Sequence, residues 1–81
     1  MKIKVVLFAS ARDILGEREI EMELPDSATV VDLKQVMMSQ FPQVADLVLR
    51  SAISVDHEFA NDSLPLQPGS EIALIPPVSG G

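Results

Sequence analysis

The chain closes with Pro76-Pro77-Val78-Ser79-Gly80-Gly81, and the reactive group that such a tail presents is the carboxylate of Gly81. A carboxylate of this kind, with an ordinary pKa of about 3.5, is ionised at neutral pH. It is a poor electrophile until one of its oxygens becomes a leaving group. Adenylation by ATP would supply one, and a sulfur donor could then convert the acyl-adenylate to a thiocarboxylate. The terminal sulfur would be a nucleophile that needs no side chain. Gly80 and Gly81 have no Cβ, so this backbone can enter a slot too narrow for other residues. Pro76 and Pro77 lack an N–H and fix φ, so strand pairing must stop there. The alternative is a frayed terminus without a role. The rigid spacer and the apolar run Ile72-Ala73-Leu74-Ile75 just before it weigh against that alternative.

Other chemistry is thinly represented. His57 is the only histidine and sits between Asp56 and Glu58, which reads as a solvated turn. One histidine supports neither a Ser-His-Asp arrangement nor a metal site, so no metal is expected. Glycines occur only at 16, 69, 80 and 81, which leaves no Gly-rich phosphate loop and no ATP site. An activating enzyme must therefore act on Gly81 in trans.

The 81 residues fit one domain, and 47% hydrophobic content suffices for one core. There are no cysteines, which excludes disulfides, thiolate metal sites and a cysteine nucleophile. It also excludes a plant-type ferredoxin, whose cluster needs four of them. No apolar stretch approaches the ~20 residues of a membrane span. Met1-Lys2-Ile3-Lys4 has no signal-peptide layout, so a cytoplasmic protein is expected. The net charge of −6 repels phosphate backbones, so no nucleic-acid or membrane partner is expected. If phosphorylated chemistry is involved, a basic partner should hold the substrate.

The elements that must position the tail follow from hydrophobic periodicity. Lys2 to Ala9 alternates as a strand, with Ile3, Val5 and Leu7 on one face and Lys4, Val6 and Phe8 on the other. Ser10 is placed to cap a short helix, Ala11 to Leu15, stopped by Gly16. Glu17 to Leu24 reads as a half-buried strand, with four glutamates outward and Arg18, Ile20, Met22 and Leu24 on the other face. Pro25 to Ala28 is a turn. Thr29 and Asp32 form a capping box for a helix with Val30, Leu33, Met37 and Phe41 on one stripe. Pro42 ends it by restricting Phe41. Ala45 to Leu49 is either a short helix or an irregular turn. Ala52 to Val55 is a strand, Asp56-His57-Glu58 a tight connection, and Phe59-Ala60 the return. Leu64-Pro65-Leu66 reads as a short buried crossover. Gln67-Pro68-Gly69-Ser70 suits a type II turn, and Glu71 to Ile75 is the last strand.

This order predicts an α+β class with a ubiquitin-like β-grasp, a mixed sheet with one main helix packed across it. Residues 1–75 would form the domain and 76–81 a flexible Gly-Gly tail. The first and last strands would run parallel at the sheet centre. The helix can cover one face only, so Phe8, Phe59 and Ile75 are candidates for an exposed partner-binding patch. From the alternation alone, Phe8 is as readily a core residue as a patch residue.

The chain resembles the small-subunit family of molybdopterin synthase, which are ubiquitin-like sulfur carriers. The resemblance covers essentially the whole chain. It rests on Val5-Val6-Leu7-Phe8-Ala9 with Ala11-Arg12-Asp13, on Thr29-Val30-Val31-Asp32-Leu33, on Leu66 to Ile72, and above all on Ile75 to Gly81. It departs at Val55-Asp56, where the family often has Val-Asn. The resemblance implies that an E1-like adenylating enzyme activates Gly81 and that a sulfurtransferase donor supplies the sulfur. Pro77, Val78, Ser79 and Gly80 would thread with it into the large, catalytic subunit. There the sulfur passes to cyclic pyranopterin monophosphate in molybdenum cofactor biosynthesis, within a heterotetramer. The chain would not be catalytic alone and would bind no cofactor, the ATP being used by the activating enzyme. A sulfur carrier of another pathway, as for thiamine, a ubiquitin-like protein modifier and a binding module with an inert tail are the alternatives.

Overall fold

Alternating residues explain why Lys2–Leu7 extends as β1: Ile3, Val5 and Leu7 are buried, while Lys2 and Lys4 are exposed. The computed structural model describes residues 1–77. The remaining elements are α1 (Ala9–Leu15), β2 (Glu19–Glu23), α2 (Val30–Gln40), a 3₁₀ turn at Pro42–Val44, α3 (Ala45–Arg50), β3 (Ala52–Val55), β4 (Glu58–Phe59) and β5 (Ile72–Ile75). The sheet order is β2-β1-β5-β3-β4. β1 and β5 run parallel, with Val6 opposite Ala73, and the other pairs are antiparallel. The last strand therefore enters between two hairpins and becomes the centre of the sheet, as the sequence predicts.

One helix grips one face of this sheet. Thr29 opens α2 as the periodicity predicts: its N–H donates to Asp32 Oδ2 at 2.9 Å, and its hydroxyl donates to the same oxygen at 3.1 Å. The next two N–H groups, of Val30 and Val31, donate to Leu64 O and Asp62 O. The loop before β5 thus satisfies helix donors that have no partner within α2. Val30, Leu33 and Met37 are buried against Ile3, Val5, Leu7, Ile53, Ile72 and Leu74 in one core. Phe41 packs at its margin. Pro42 follows directly and starts the 3₁₀ turn, so the helix stops where the restricted residue before proline requires.

Several expectations are corrected. Ser10 lies inside α1, whose N-cap is Phe8, and Ala9 turns the chain with a left-handed φ of 50°. β1 therefore ends at Leu7. β2 is shorter than its alternation suggests, and Arg18 is exposed rather than inward; its carbonyl accepts from Leu7 N–H in the connection before the strand, while its charged side chain stays in water. In the Leu64-Pro65-Leu66 crossover only Leu66 is buried. Leu64 is exposed, and its backbone carbonyl accepts from Val30 N–H at the start of α2. The segment Ala45–Arg50 is helical, with Lys34 Nζ donating at 2.8 Å to the carbonyl of its capping residue Ser51.

Gly16 ends α1 in the left-handed region at φ 71°, and Gly69 holds the turn before β5 at φ 86°. At the start of β1, the Met1 ammonium donates to Leu24 O and lies 3.1 Å from Glu23 Oε2 and 3.4 Å from Asp26 Oδ1. The bond to Glu23, helped by Asp26, holds this ammonium's pKa above its ordinary 8.0. No helix among the described residues is long and apolar enough to cross a membrane.

Candidate functional site

Among the described residues no element covers the sheet face away from α2, and its residues follow from strand pairing. Glu19, Val6, Ala73, Ser54 and Phe59 are successive cross-strand partners from β2 to β4. Phe8 and Ile75 stand at the end of β1 and β5, on the same face by the alternation of each strand. Val6, Phe8, Ser54, Phe59, Ala73 and Ile75, with His57 and Glu71, line a groove of about 260 Å³. Val6 and Ala73 line it from the central strands, and Phe8, Phe59 and Ile75 supply its apolar bulk. Phe8 is 46% exposed and Phe59 75% exposed. A core phenylalanine has neither value, so the two alternatives for Phe8 resolve toward the surface.

The groove has a polar rim. His57 Nε2 lies 2.8 Å from Glu71 Oε2, and both side chains are largely exposed. The Asp56-His57 turn that carries the imidazole has φ of 51° and 72° at its two central residues. Ser54 pairs with Phe59 and Val55 with Glu58 around it, so the loop has two residues. Both φ values are positive, as a type I′ hairpin requires. Sequence reasoning left His57 as a solvated turn residue and did not associate Glu71 with the patch. Glu71 was accessible in principle, since it precedes Ala73 and Ile75 at the strand period of two. Farther along the same face the surface turns charged, with Lys2 Nζ 3.8 Å from Glu21 Oε2 and Glu19 and Glu23 exposed. Among the described residues no group of three or more His, Cys, Asp or Glu is placed to hold a metal ion.

Of the expected site residues, Phe8, Phe59 and Ile75 are brought together in one groove. Pro76 is buried. Pro77 faces elsewhere, into a second groove between α1 and α3 that includes Ile14, Leu47 and Arg50. Val78, Ser79, Gly80 and Gly81 lie outside the described residues.

A mixed sheet holding one main helix, with its first and last strands parallel at the centre, is the ubiquitin-like β-grasp. SAMP1 from Haloferax volcanii superposes with a TM-score of 0.85 at 25% identity, over 100% of both chains. One chain of the complex of subunits 1 and 2 of molybdopterin-converting factor from Helicobacter pylori shares the fold, with a TM-score of 0.69 at 22% identity over 100% of both chains. The chain belongs to the ThiS family, whose model it matches over residues 5–81. A relative from Caenorhabditis briggsae, a molybdopterin synthase sulfur carrier subunit, is 32% identical over 83 aligned residues, covering 100% of this chain and 99% of its own.

Proposed function

We propose that this chain is the sulfur carrier subunit of a molybdopterin synthase. An E1-like enzyme adenylates the Gly81 carboxylate with ATP. A persulfide on a sulfurtransferase then attacks the acyl carbon and displaces AMP, and a thiol reductant cleaves the resulting acyl disulfide to leave the thiocarboxylate. The thiocarboxylate is carried into the large subunit and gives its sulfur to cyclic pyranopterin monophosphate. The observation that carries this reading is the end-to-end similarity to a sulfur carrier subunit, from the first strand through the Gly-Gly end.

The geometry supports a division of labour. The apolar groove at Phe8, Phe59 and Ile75 sits where β5 ends, so a partner seated there is next to the root of the tail. Burying a few apolar anchors supplies most of the affinity in interfaces of this kind. The acidic chain leaves phosphate binding to its partner. Pro77, Val78, Ser79 and Gly80 form the narrow lead that lets Gly81 reach a closed site, in a heterotetramer with two carriers on a large-subunit dimer. The cytoplasm is the proposed compartment, in keeping with a cysteine-free chain. The likeness to SAMP1, a small archaeal modifier protein, favours a second reading in which activated Gly81 is joined to protein amines.

The test is incubation of the full chain with ATP, an activating enzyme and a sulfur donor, followed by intact-mass measurement. A carrier gains the mass of one oxygen-to-sulfur exchange and then converts cyclic pyranopterin monophosphate when the large subunit is added. A chain lacking Gly81 does neither and melts as before. Normal transfer by the shortened chain overturns the proposal, and a ladder of conjugates in place of the mass gain assigns the modifier reading.

A further inference from the structure

Where β5 ends, the backbone leaves the sheet face for the helical side. Ile75 lines the apolar groove of the sheet, Pro76 is buried, and Pro77 lines the second groove, between α1 and α3. Ile14 is 52% exposed there, on a helix whose one buried residue is Ala11. Leu47 of α3 is half-buried beside it. Asp46 and Arg50 line the same groove and offset each other, so charge selects no occupant.

We propose that this groove is the resting cradle of the chain's own C-terminal segment, Val78 to Gly81, in the free protein. The described chain ends in the groove, at Pro77, and residues 78–81 follow. Pro76 and Pro77 fix φ, so the direction in which the backbone leaves β5 is set before Val78. Extended, those last residues span about 13 Å. The wall formed by α3, from Ala45 to Arg50, is about 9 Å long at the helical rise. The segment therefore has the length to lie along that wall. Val78 is its one bulky apolar residue and comes directly after Pro77, beside Ile14 and Leu47.

The covalent link decides between this occupant and a separate one. A segment on a short tether meets its site at an effective concentration of about 1 mM, whatever the protein concentration. A contact too weak to hold a free peptide therefore still holds this one. Pro77 already occupies the groove, and no freedom of approach remains to be lost there. The cradle is a weak autoinhibitory contact: Gly81 must be lifted from it before an enzyme can close on the carboxylate. It needs no partner and does not rest on the sulfur-carrier reading.

The chain has no cysteine, so Ser79→Cys creates a single attachment point for a nitroxide spin label. Amide signals of the full, isotope-labelled chain then report where the segment lies. Those of Ile14 and Leu47 are expected to lose most of their intensity, and those of His57 and Phe59, on the sheet face, to lose less. Adding Ile14→Asp should restore the Leu47 signal. A label-free comparison guards against an effect of the nitroxide: removing residues 78–81 should shift the Ile14 and Leu47 amides. Unmoved amides after that removal overturn the proposal. So does an equal loss on both sides of the sheet, which means a segment held by neither groove, or a greater loss at His57 and Phe59, which assigns it to the sheet face. Spin-labelled chain mixed with unlabelled, isotope-enriched chain gives the last outcome: a loss at Ile14 in that mixture assigns the groove to a neighbour's tail and overturns the cradle as well.

Discussion

Asp56 and Glu71 bond to each other twice: Asp56 N–H donates to Glu71 O at 2.8 Å, and Glu71 N–H donates to Asp56 Oδ1 at 2.9 Å. The pair ties the β3–β4 turn to the residue before β5. It also shows what the departure from Val-Asn does. An asparagine would offer the same Oδ1 and tolerate the same left-handed φ. Asp56→Asn is therefore expected to change stability by less than about 0.5 kcal/mol, as a surface change of matched shape does. Asp56→Ala loses the acceptor and places at φ 51° a residue that tolerates the left-handed region less well than Asp, which should cost about 1–2 kcal/mol. Urea unfolding of the two variants checks this, and equal midpoints would show that the side-chain bond contributes nothing.

Phe8 and Leu33 should behave oppositely. Leu33 is fully buried under the sheet, so Leu33→Ala is expected to cost about 2–5 kcal/mol. Phe8 is partly exposed in the groove, and Phe8→Ala should cost less than about 1 kcal/mol. Its loss should appear instead as weaker binding to the activating enzyme and the large subunit, about 30-fold for a 2 kcal/mol anchor. A melting curve and one titration per variant separate stability from affinity. A strongly destabilised Phe8→Ala with intact affinity would place the ring in the core.

Gly80→Ala tests the width of the slot that receives the tail. One added methyl is enough where backbone approach is close. The substitution should slow activation or sulfur transfer while the melting temperature stays the same. Unchanged turnover would show that the glycines are not there to admit the backbone.

The Met1 ammonium predicts an alkaline limit to stability. Its pKa is raised above 8.0, chiefly by the bond to Glu23 and then by Asp26. A group with a raised folded-state pKa contributes fully below its unfolded value and loses that contribution as pH rises through the folded value. The ammonium's contribution should therefore be constant just below pH 8.0 and be lost above it. Unfolding midpoints across that range, repeated with Glu23→Gln, provide the check. The variant should show a shallower decline, and an identical decline in both would remove Glu23 as the cause.

Strand and helix faces were legible because each has one solvated side. The period of two in β1 and the stripe Val30-Leu33-Met37 both survive in the structure. So does the grouping of Phe8 with Ile75 and Phe59, which needs only alternation and the strand order. Local signals failed where backbone geometry that residue type does not announce decided the outcome. Ser10 is a good cap by type, but the turn at Ala9 starts α1 earlier. Leu64 is apolar, yet its place is set by the carbonyl it lends to α2. The groove of Ile14, Leu47, Arg50 and Pro77 joins three distant segments, and no spacing along the chain announces it.

The central position of β5 also bears on synthesis. Without residues 72–75 the sheet has no centre, because β1–β2 and β3–β4 meet only through β5. Pairings so distant in sequence form late and slowly. A ribosome must therefore release nearly the whole chain before the sheet can close, so newborn copies pass through a stage with an unfilled seam. When the seam fills, the strand that completes the fold is also the one that leads to Pro76 and Pro77, so closing the sheet and fixing the root of the C-terminal segment are one event.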